Sequence, residues 1–191
     1  MNTYKLELLS LERELPLMKI KDDLAIASFV ILGDTELVQA VAPAIADRLK
    51  EIKNIDIIVT AEAKGIPLAY EISKLLGLKE FIVARKSIKA YMDSPITEEV
   101  NSITTQKKQF LCLDKIDAEK IKGKNIAIID DVISTGESLK VVEKLVEKAG
   151  GIVKAKAAIL AEGDASNRDD IIFIKRLPLF KVDENENFIE I

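Results

Sequence analysis

Two adjacent carboxylates, Asp130 and Asp131, are the side chains of this sequence best placed to do chemistry. They follow the apolar run Ile126-Ala127-Ile128-Ile129 and precede Val132-Ile133-Ser134-Thr135-Gly136, after which a helical pattern begins at Glu137. That order reads as a buried strand, a ligand-facing loop and a helix N-terminus. Free backbone N–H groups at a helix start converge on an anion, commonly a phosphate. Two carboxylates just ahead of them suit a polyhydroxylated or metal-bound ligand. The segment therefore asks for a ligand carrying both a phosphate and a sugar. Acids beside a helix N-terminus also stabilise it without further purpose, but that alone does not explain both acids ahead of a hydroxyl- and glycine-bearing turn.

Three other clusters could act on the same ligand. Thr60 to Ile66 joins a strand to a helix and holds Glu62, Ala63, Lys64 and Gly65. In isolation it is an ordinary loop with a solvated lysine. Arg85, Lys86 and Lys89 follow the next strand. A basic cluster is commonly a solvated rim, yet several cations suit a multiply charged anion. Asn101 to Lys108 is the most polar part of a longer stretch, 85–109, that shows no clean period. A polar stretch of that length inside a compact domain is usually functional or mobile.

Composition narrows the chemistry. The 191 residues contain no histidine, so the commonest general base and zinc ligand are absent. Acid–base work must fall to carboxylates, lysines or the substrate. The single cysteine, Cys112, lies in the apolar run Phe110 to Leu113, the setting of a buried structural thiol. With no possible internal disulfide, a reducing cytoplasm is the default location. A net charge of −4 gives no reason to expect a nucleic-acid partner. The N-terminus does not resemble a signal peptide, and no apolar run reaches membrane-spanning length, so no membrane partner is expected. Hydrophobic content of 48% is ample for one packed domain.

The elements that must position these clusters follow from hydrophobic spacing. Leu37, Val41, Ala44, Ile45, Leu49 and Ile52 recur at helical intervals from Glu36 to Ile52, with Asp34 and Thr35 as caps and Pro43 as a kink. Ile55 to Val59 is a β-branched strand. Gly65 and Pro67 open a helix that runs to about Leu76 and stops at Gly77. Phe81 to Ala84 is the next strand. A second unit repeats the plan: strand 126–129, helix 137–149, a Gly150-Gly151 stop and strand 152–161. Each strand–helix–strand unit predicts a parallel pair with a right-handed crossover and a ligand loop at the strand's carboxyl end. The chain ends carry similar pieces, Leu15-Pro16-Leu17-Met18 and Leu177-Pro178-Leu179-Phe180, read as meeting in a small hood. The domain is expected as a single unit with its core at about 34–161 and the hood at about 6–29 and 177–191.

Ile128 to Gly136 resembles the phosphoribosyl pyrophosphate signature of the type I phosphoribosyltransferases, and the resemblance covers Glu36 to about Ala161. It implies an α/β fold with a twisted, mainly parallel sheet flanked by helices, under a hood formed by the terminal segments. Asp130 and Asp131 would bind the ribose hydroxyls, with Mg2+ carried by the substrate near them and no dedicated protein cage. Val132, Ile133, Ser134, Thr135, Gly136, Glu137 and Ser138 would hold the 5-phosphate. Purine-type members often have glycine where Glu137 stands. Glu62, Ala63, Lys64 and Gly65 resemble the pyrophosphate loop of adenine phosphoribosyltransferases, with Lys64 in place of arginine and a cis peptide implied near Glu62–Ala63. Arg85, Lys86 and Lys89 would neutralise the pyrophosphate.

The segment 101–108 resembles the loop that closes over the reaction, giving Ser102, Thr104 and Thr105 as candidates. The glutamate of adenine-specific members falls on Thr104 or Thr105, and the run is nearer to xanthine phosphoribosyltransferases. Phe29, Leu17 and Phe180 are candidates for stacking on the base. The implied activity joins a purine, adenine first, to the ribose of phosphoribosyl pyrophosphate, in a homodimer. Xanthine or guanine specificity and a catalytically inactive sensor are the alternatives.

Overall fold

The computed structural model describes residues 2–100 and 109–191. The chain opens with three strands, β1 (Thr3–Leu8), β2 (Leu11–Lys21) and β3 (Leu24–Ala27), each antiparallel to the one before. Helix α1 (Thr35–Glu51), strand β4 (Ile57–Ala61), helix α2 (Ile66–Leu75) and strand β5 (Phe81–Ala84) form the first crossover unit. A hairpin of β6 (Ile96–Val100) and β7 (Gln109–Leu113) leads to helix α3 (Lys115–Ile121). Strand β8 (Asn125–Ile133), helix α4 (Glu137–Lys148) and strand β9 (Ile152–Glu162) form the second unit. A 3-10 turn over Gly163–Asn167 precedes β10 (Ile172–Leu177), β11 (Leu179–Val182) and β12 (Phe188–Glu190).

The central sheet has the order β10-β9-β8-β4-β5 and every pair in it is parallel. Its inner strands are apolar on both faces because helices cover both: Ile57, Ile58, Val59 and Thr60 of β4 are all buried. Ile58, Ala127, Ile129 and Ile159 face α1, α2 and the terminal strands, packing on Leu37, Val41, Ile45, Leu68 and Ile72. Val59, Ile128 and Ala158 face α4, packing on Leu139, Val142, Leu145 and Val146. After β4 the chain moves outward to β5, then returns to lay β8 on the other side of β4. Adjacent loops therefore diverge at the carboxyl ends of β4 and β8, where open α/β sheets place a ligand crevice.

Differences from the sequence reading have local causes. Helix α1 continues through Pro43. Strand β8 runs to Ile133 rather than stopping at Ile129, because its last residues stay paired: Val132 with Leu160 and Ile133 with Ala161. The two similar apolar pieces of the chain ends do not pair with each other. Both contribute to a second sheet, β1-β2-β3-β11-β12, but β3 lies between β2 and β11, and Leu177 ends β10 of the central sheet. Arg13 of β2 fixes this sheet to the helical layer by forking onto Asp34 at 2.6 and 3.0 Å. The same Asp34 caps α1 by accepting the Leu37 N–H at 3.0 Å.

The polar stretch 85–109 contains a hairpin strand that the sequence reading left unassigned. Cys112 of β7 exchanges two backbone hydrogen bonds of 2.8 Å with Arg85. Glu98 of β6 pairs with Lys144, at 3.2 Å, and with Lys148 of α4. The loop candidates Ser102, Thr104 and Thr105 lie outside the described residues.

Helix α4 carries the phosphate-loop candidate at its N-terminus, so its packing sets that loop. Leu145 is fully buried between α4 and the sheet. Leu145→Ala should destabilise the protein by about 2–5 kcal/mol, read as a lower denaturant midpoint with an unchanged slope.

Candidate active site

The cup at the start of α4 is lined by Asp130 and by residues 132–139. Ile133 is 2% exposed and packs beneath α4, while Val132 packs on the other face of the sheet. These two are thus strand residues, and the turn itself is Ser134-Thr135-Gly136. Gly136 takes φ +79°, the left-handed region that favours glycine. No side chain caps the helix. The Glu137 N–H has only Thr135 Oγ1 at 3.4 Å, a weak contact. The first N–H groups of α4 thus remain available to an anion. The hydroxyl-bearing Ser134, Thr135 and Ser138 are exposed at this rim, and Glu137 is exposed as well.

Asp130 and Asp131 lie near the carboxyl end of β8. Asp131 is 2% exposed, and its Oδ2 lies 2.9 Å from Lys64 Nζ without a well-aligned hydrogen bond. Asp130 Oδ1 accepts the Asp131 N–H at 2.8 Å. Burial, followed by the Asp131 charge beside it, pushes the Asp130 carboxyl well above the ordinary carboxylate range. Lys64 opposes that shift.

Lys64 belongs to the loop after β4, on the other side of the crevice. The Glu62–Ala63 peptide is cis, as the resemblance implied. Gly65 lets this loop approach closely: a methyl group there would lie 2.2 Å from Thr60 Oγ1 and 3.3 Å from the Ile129 carbonyl oxygen. Glu62 points away from the cup. Its Oε2 accepts the Lys86 N–H at 2.9 Å and its Oε1 lies 3.7 Å from Arg85 Nε. The Lys86 N–H, with the Arg85 charge, holds its carboxyl below the usual range. Glu62 is therefore a strut between the loops after β4 and β5. Lys89 Nζ donates to Ser87 Oγ at 2.6 Å. Ala63, Lys64 and Lys86 are exposed on the loops. Of the four sequence clusters, the loops after β4, β5 and β8 are linked by the Lys64–Asp131 and Glu62–Lys86 contacts, and the fourth lies outside the described residues.

The stacking candidates sit elsewhere. Phe29 and Phe180 are each 5% exposed in the hydrophobic core, and Leu17 packs against it. Register explains this: Leu17 is opposite Ala27 and Phe180 opposite Ala25, both buried. Met18, Ile26 and Leu179 form the opposite cross-strand row. Leu179 reaches over the strand ends, since a methyl group on Gly163 would lie 2.8 Å from its Cδ1. Sequence reasoning also missed Glu162, the last residue of β9, which is 8% exposed. Burial raises its carboxyl, opposed by a hydrogen bond from Ser134 and by Lys64. Its signal was the same strand-end position that marked Asp130.

A sequence pattern described as the phosphoribosyl transferase domain matches residues 31–190. The chain belongs to the phosphoribosyl transferase family. It is 35% identical over 72% of its length to a hypoxanthine/guanine phosphoribosyltransferase of Methanocella paludicola, covering 68% of that protein. It is 34% identical over 74% of its length to an adenine phosphoribosyltransferase of Clostridium botulinum, covering 78% of that protein. Among solved structures, the adenine phosphoribosyltransferase of Thermoanaerobacter pseudethanolicus superposes with a TM-score of 0.69 at 21% identity, over 85% of this chain and 95% of that one. The chain has the type I phosphoribosyltransferase fold, and the resemblance seen in residues 128–136 is borne out.

Two outcomes follow from this geometry. Gly65→Ala should displace the loop after β4 and destabilise the protein by about 1–3 kcal/mol, read as a lower denaturant midpoint. Asp130 is protonated more readily folded than unfolded, so its contribution to stability falls as pH rises from about 4 upward. In magnesium-free buffer, Asp130→Asn should raise the melting temperature at pH 7.5 by roughly 2–8 °C, equivalent to about 1–2 kcal/mol, and change little at pH 4.

Proposed function

We propose that this phosphoribosyltransferase transfers the phosphoribosyl group of phosphoribosyl pyrophosphate to a purine base, releasing pyrophosphate and a nucleoside 5'-monophosphate. The observation that carries the reading is the 2.9 Å contact of Lys64 with Asp131. It sets the loop that carries Lys64 beside the paired carboxylates, of which Asp130 also lines the cup at the start of α4, and a sugar bearing phosphate at one end and pyrophosphate at the other would suit that arrangement. Adenine is the first candidate acceptor, supported by Glu62-Ala63-Lys64-Gly65 and Arg85-Lys86; hypoxanthine and guanine compete, since relatives of both names match at similar identity.

In this reading the N–H groups and hydroxyls of Ser134, Thr135, Gly136 and Ser138 seat the 5-phosphate. Asp130 and Asp131 accept the ribose hydroxyls and fix the ring. The bond from the anomeric carbon to pyrophosphate breaks with its electron pair leaving on oxygen, a bond to the purine nitrogen forms, and the proton of that nitrogen passes to the departing pyrophosphate. The amides of Ala63 and Gly65, with Lys64, Arg85, Lys86 and Lys89, meet the charge that grows on the departing oxygens, which is preorganised electrostatic stabilisation. No protein nucleophile is required.

The residues fit magnesium brought by the substrate. Asp131 Oδ2 is buried without a hydrogen bond beside a second carboxylate, whereas no cluster of three acidic, histidine or cysteine ligands occurs among the described residues. Asp130 and Asp131 would hold the ion, which suits a cation that keeps most of its water and substrate oxygens. When bound, it supplies neutralisation of pyrophosphate charge.

A homodimer belongs to the same proposal. It is supported by exposed Val30, Leu32 and Tyr70 near a groove lined by Ile31, Val38, Ile66, Pro67 and Phe81.

The test is a product assay with magnesium, phosphoribosyl pyrophosphate and each of adenine, hypoxanthine, guanine and xanthine. Monophosphate from adenine is expected. Turnover of the oxopurines alone would replace adenine, and tight ligand binding without turnover of any purine would sink the transferase reading. The double change Asp130→Asn with Asp131→Asn should weaken phosphoribosyl pyrophosphate at least about a hundredfold while the circular dichroism spectrum is retained. Normal binding by that variant would refute the placement of the ribose.

A further inference from the structure

A guanidinium stands beside the phosphate cup that no motif pointed to. Arg168 lies in the connection between β9 and β10, far in sequence from the cup. Its Nη1 is close enough to Gly136 that a methyl group there would sit 2.6 Å from it. Gly136 is thus small for two reasons: its left-handed backbone, and the room its missing side chain leaves for this cation.

The rest of the guanidinium is held from behind. Nε and Nη2 donate to the two oxygens of Asp170 at 2.8 and 2.7 Å. Asp170 also lies 2.7 Å from Lys156 Nζ, and Lys156 lies 3.2 Å from Glu143 of α4. The chain of alternating charge therefore begins on the helix whose N-terminus forms the cup and returns to that cup through Arg168. Both donors facing away from Gly136 are occupied, while no hydrogen-bond acceptor among the described residues is placed on Nη1. An arginine fixed by a carboxylate on one edge presents its other edge with little further loss of rotamer freedom.

The cup needs such a charge. Its exposed acid, Glu137, sits in the first turn of α4, where a phosphate would meet it. Backbone N–H groups and neutral hydroxyls must otherwise offset that repulsion.

We propose that Arg168 is the cation of the phosphate cup, with Nη1 pairing to the 5-phosphate of the bound sugar alongside the backbone donors of residues 134–138. Asp170 is its positioning residue, and Lys156 and Glu143 fix Asp170. The proposal rests on the reading of the cup as a 5-phosphate seat, and it adds a recognition residue that lies outside the signature segment.

The test uses calorimetric titration of the wild-type protein, Arg168→Ala and Arg168→Gln with ribose 5-phosphate and, separately, with pyrophosphate. Melting temperatures are recorded alongside. Both variants should bind ribose 5-phosphate about tenfold more weakly or worse, and pyrophosphate within about twofold of wild type. Arg168→Gln keeps a donor toward Asp170 and carries the test if the alanine variant melts much lower. Unchanged ribose 5-phosphate binding in the glutamine variant would overturn the proposal. So would equal weakening of both ligands in both variants, which is what a purely structural brace would produce. Wild-type protein that binds pyrophosphate but neither ribose 5-phosphate nor phosphoribosyl pyrophosphate would overturn the cup reading first, and this one with it.

Discussion

Two neighbouring carboxylates at the end of a buried strand, answered by one lysine from across a gap, are the constraint on which the site depends. Removing a carboxylate from water costs several kcal/mol unless it is paired and hydrogen-bonded. Asp131 is almost wholly buried and has Lys64. Asp130 has the Asp131 N–H and a shared part of that lysine, so compensation is incomplete and its proton is held tightly. Neighbouring features make the arrangement possible. β8 stays paired past the acids, Gly65 lets the opposite loop reach the strand, and Glu62 props that loop against the one after β5. A stability-driven core would not retain such a pair; a hydroxyl-bearing ligand that brings a cation with it would give it a use.

The two faces of the central sheet divide the remaining work. On one face, α4 carries the turn Ser134-Thr135-Gly136 at its start and is anchored by the apolar row Leu139, Val142, Leu145 and Val146. Its outer flank holds Lys144 and Lys148, which tie the hairpin to it through Glu98. On the other face, α1 and the terminal sheet are joined through Arg13 and Asp34. The crevice lies where these two halves meet the strand ends, so its walls are set by separate packing layers.

Much of this was legible in the sequence, for identifiable reasons. Long helices and β-branched strands announce themselves by period, and the turn after Asp131 carries both a motif and a physical rationale. The terminal sheet was less readable. β3 has only four residues, Leu-Ala-Ile-Ala, and alternation that short does not say which face is inward. That choice was made by Ala25 and Ala27 fitting the core, which sent Phe180 and Leu17 inward and left Leu179 toward the strand ends. The end of β8 was misjudged because loop-like residues stayed in a ladder whose partner, β9, is distant in sequence. Arg168 had no pattern at all: its meaning comes from Gly136 and Asp170, one remote and one two residues away.

The pairing of β3 with β11 sets an order on biosynthesis. As the nascent chain leaves the ribosome, β1, β2 and β3 can form their meander early, but the free edge of β3 has no partner until β11 has been translated. An apolar edge left open for most of synthesis is an invitation to pair with other chains. The short length of β3 limits how much edge is offered. The terminal sheet is then completed only after the central sheet, with Asp130, Asp131 and the turn Ser134-Thr135-Gly136, has been made.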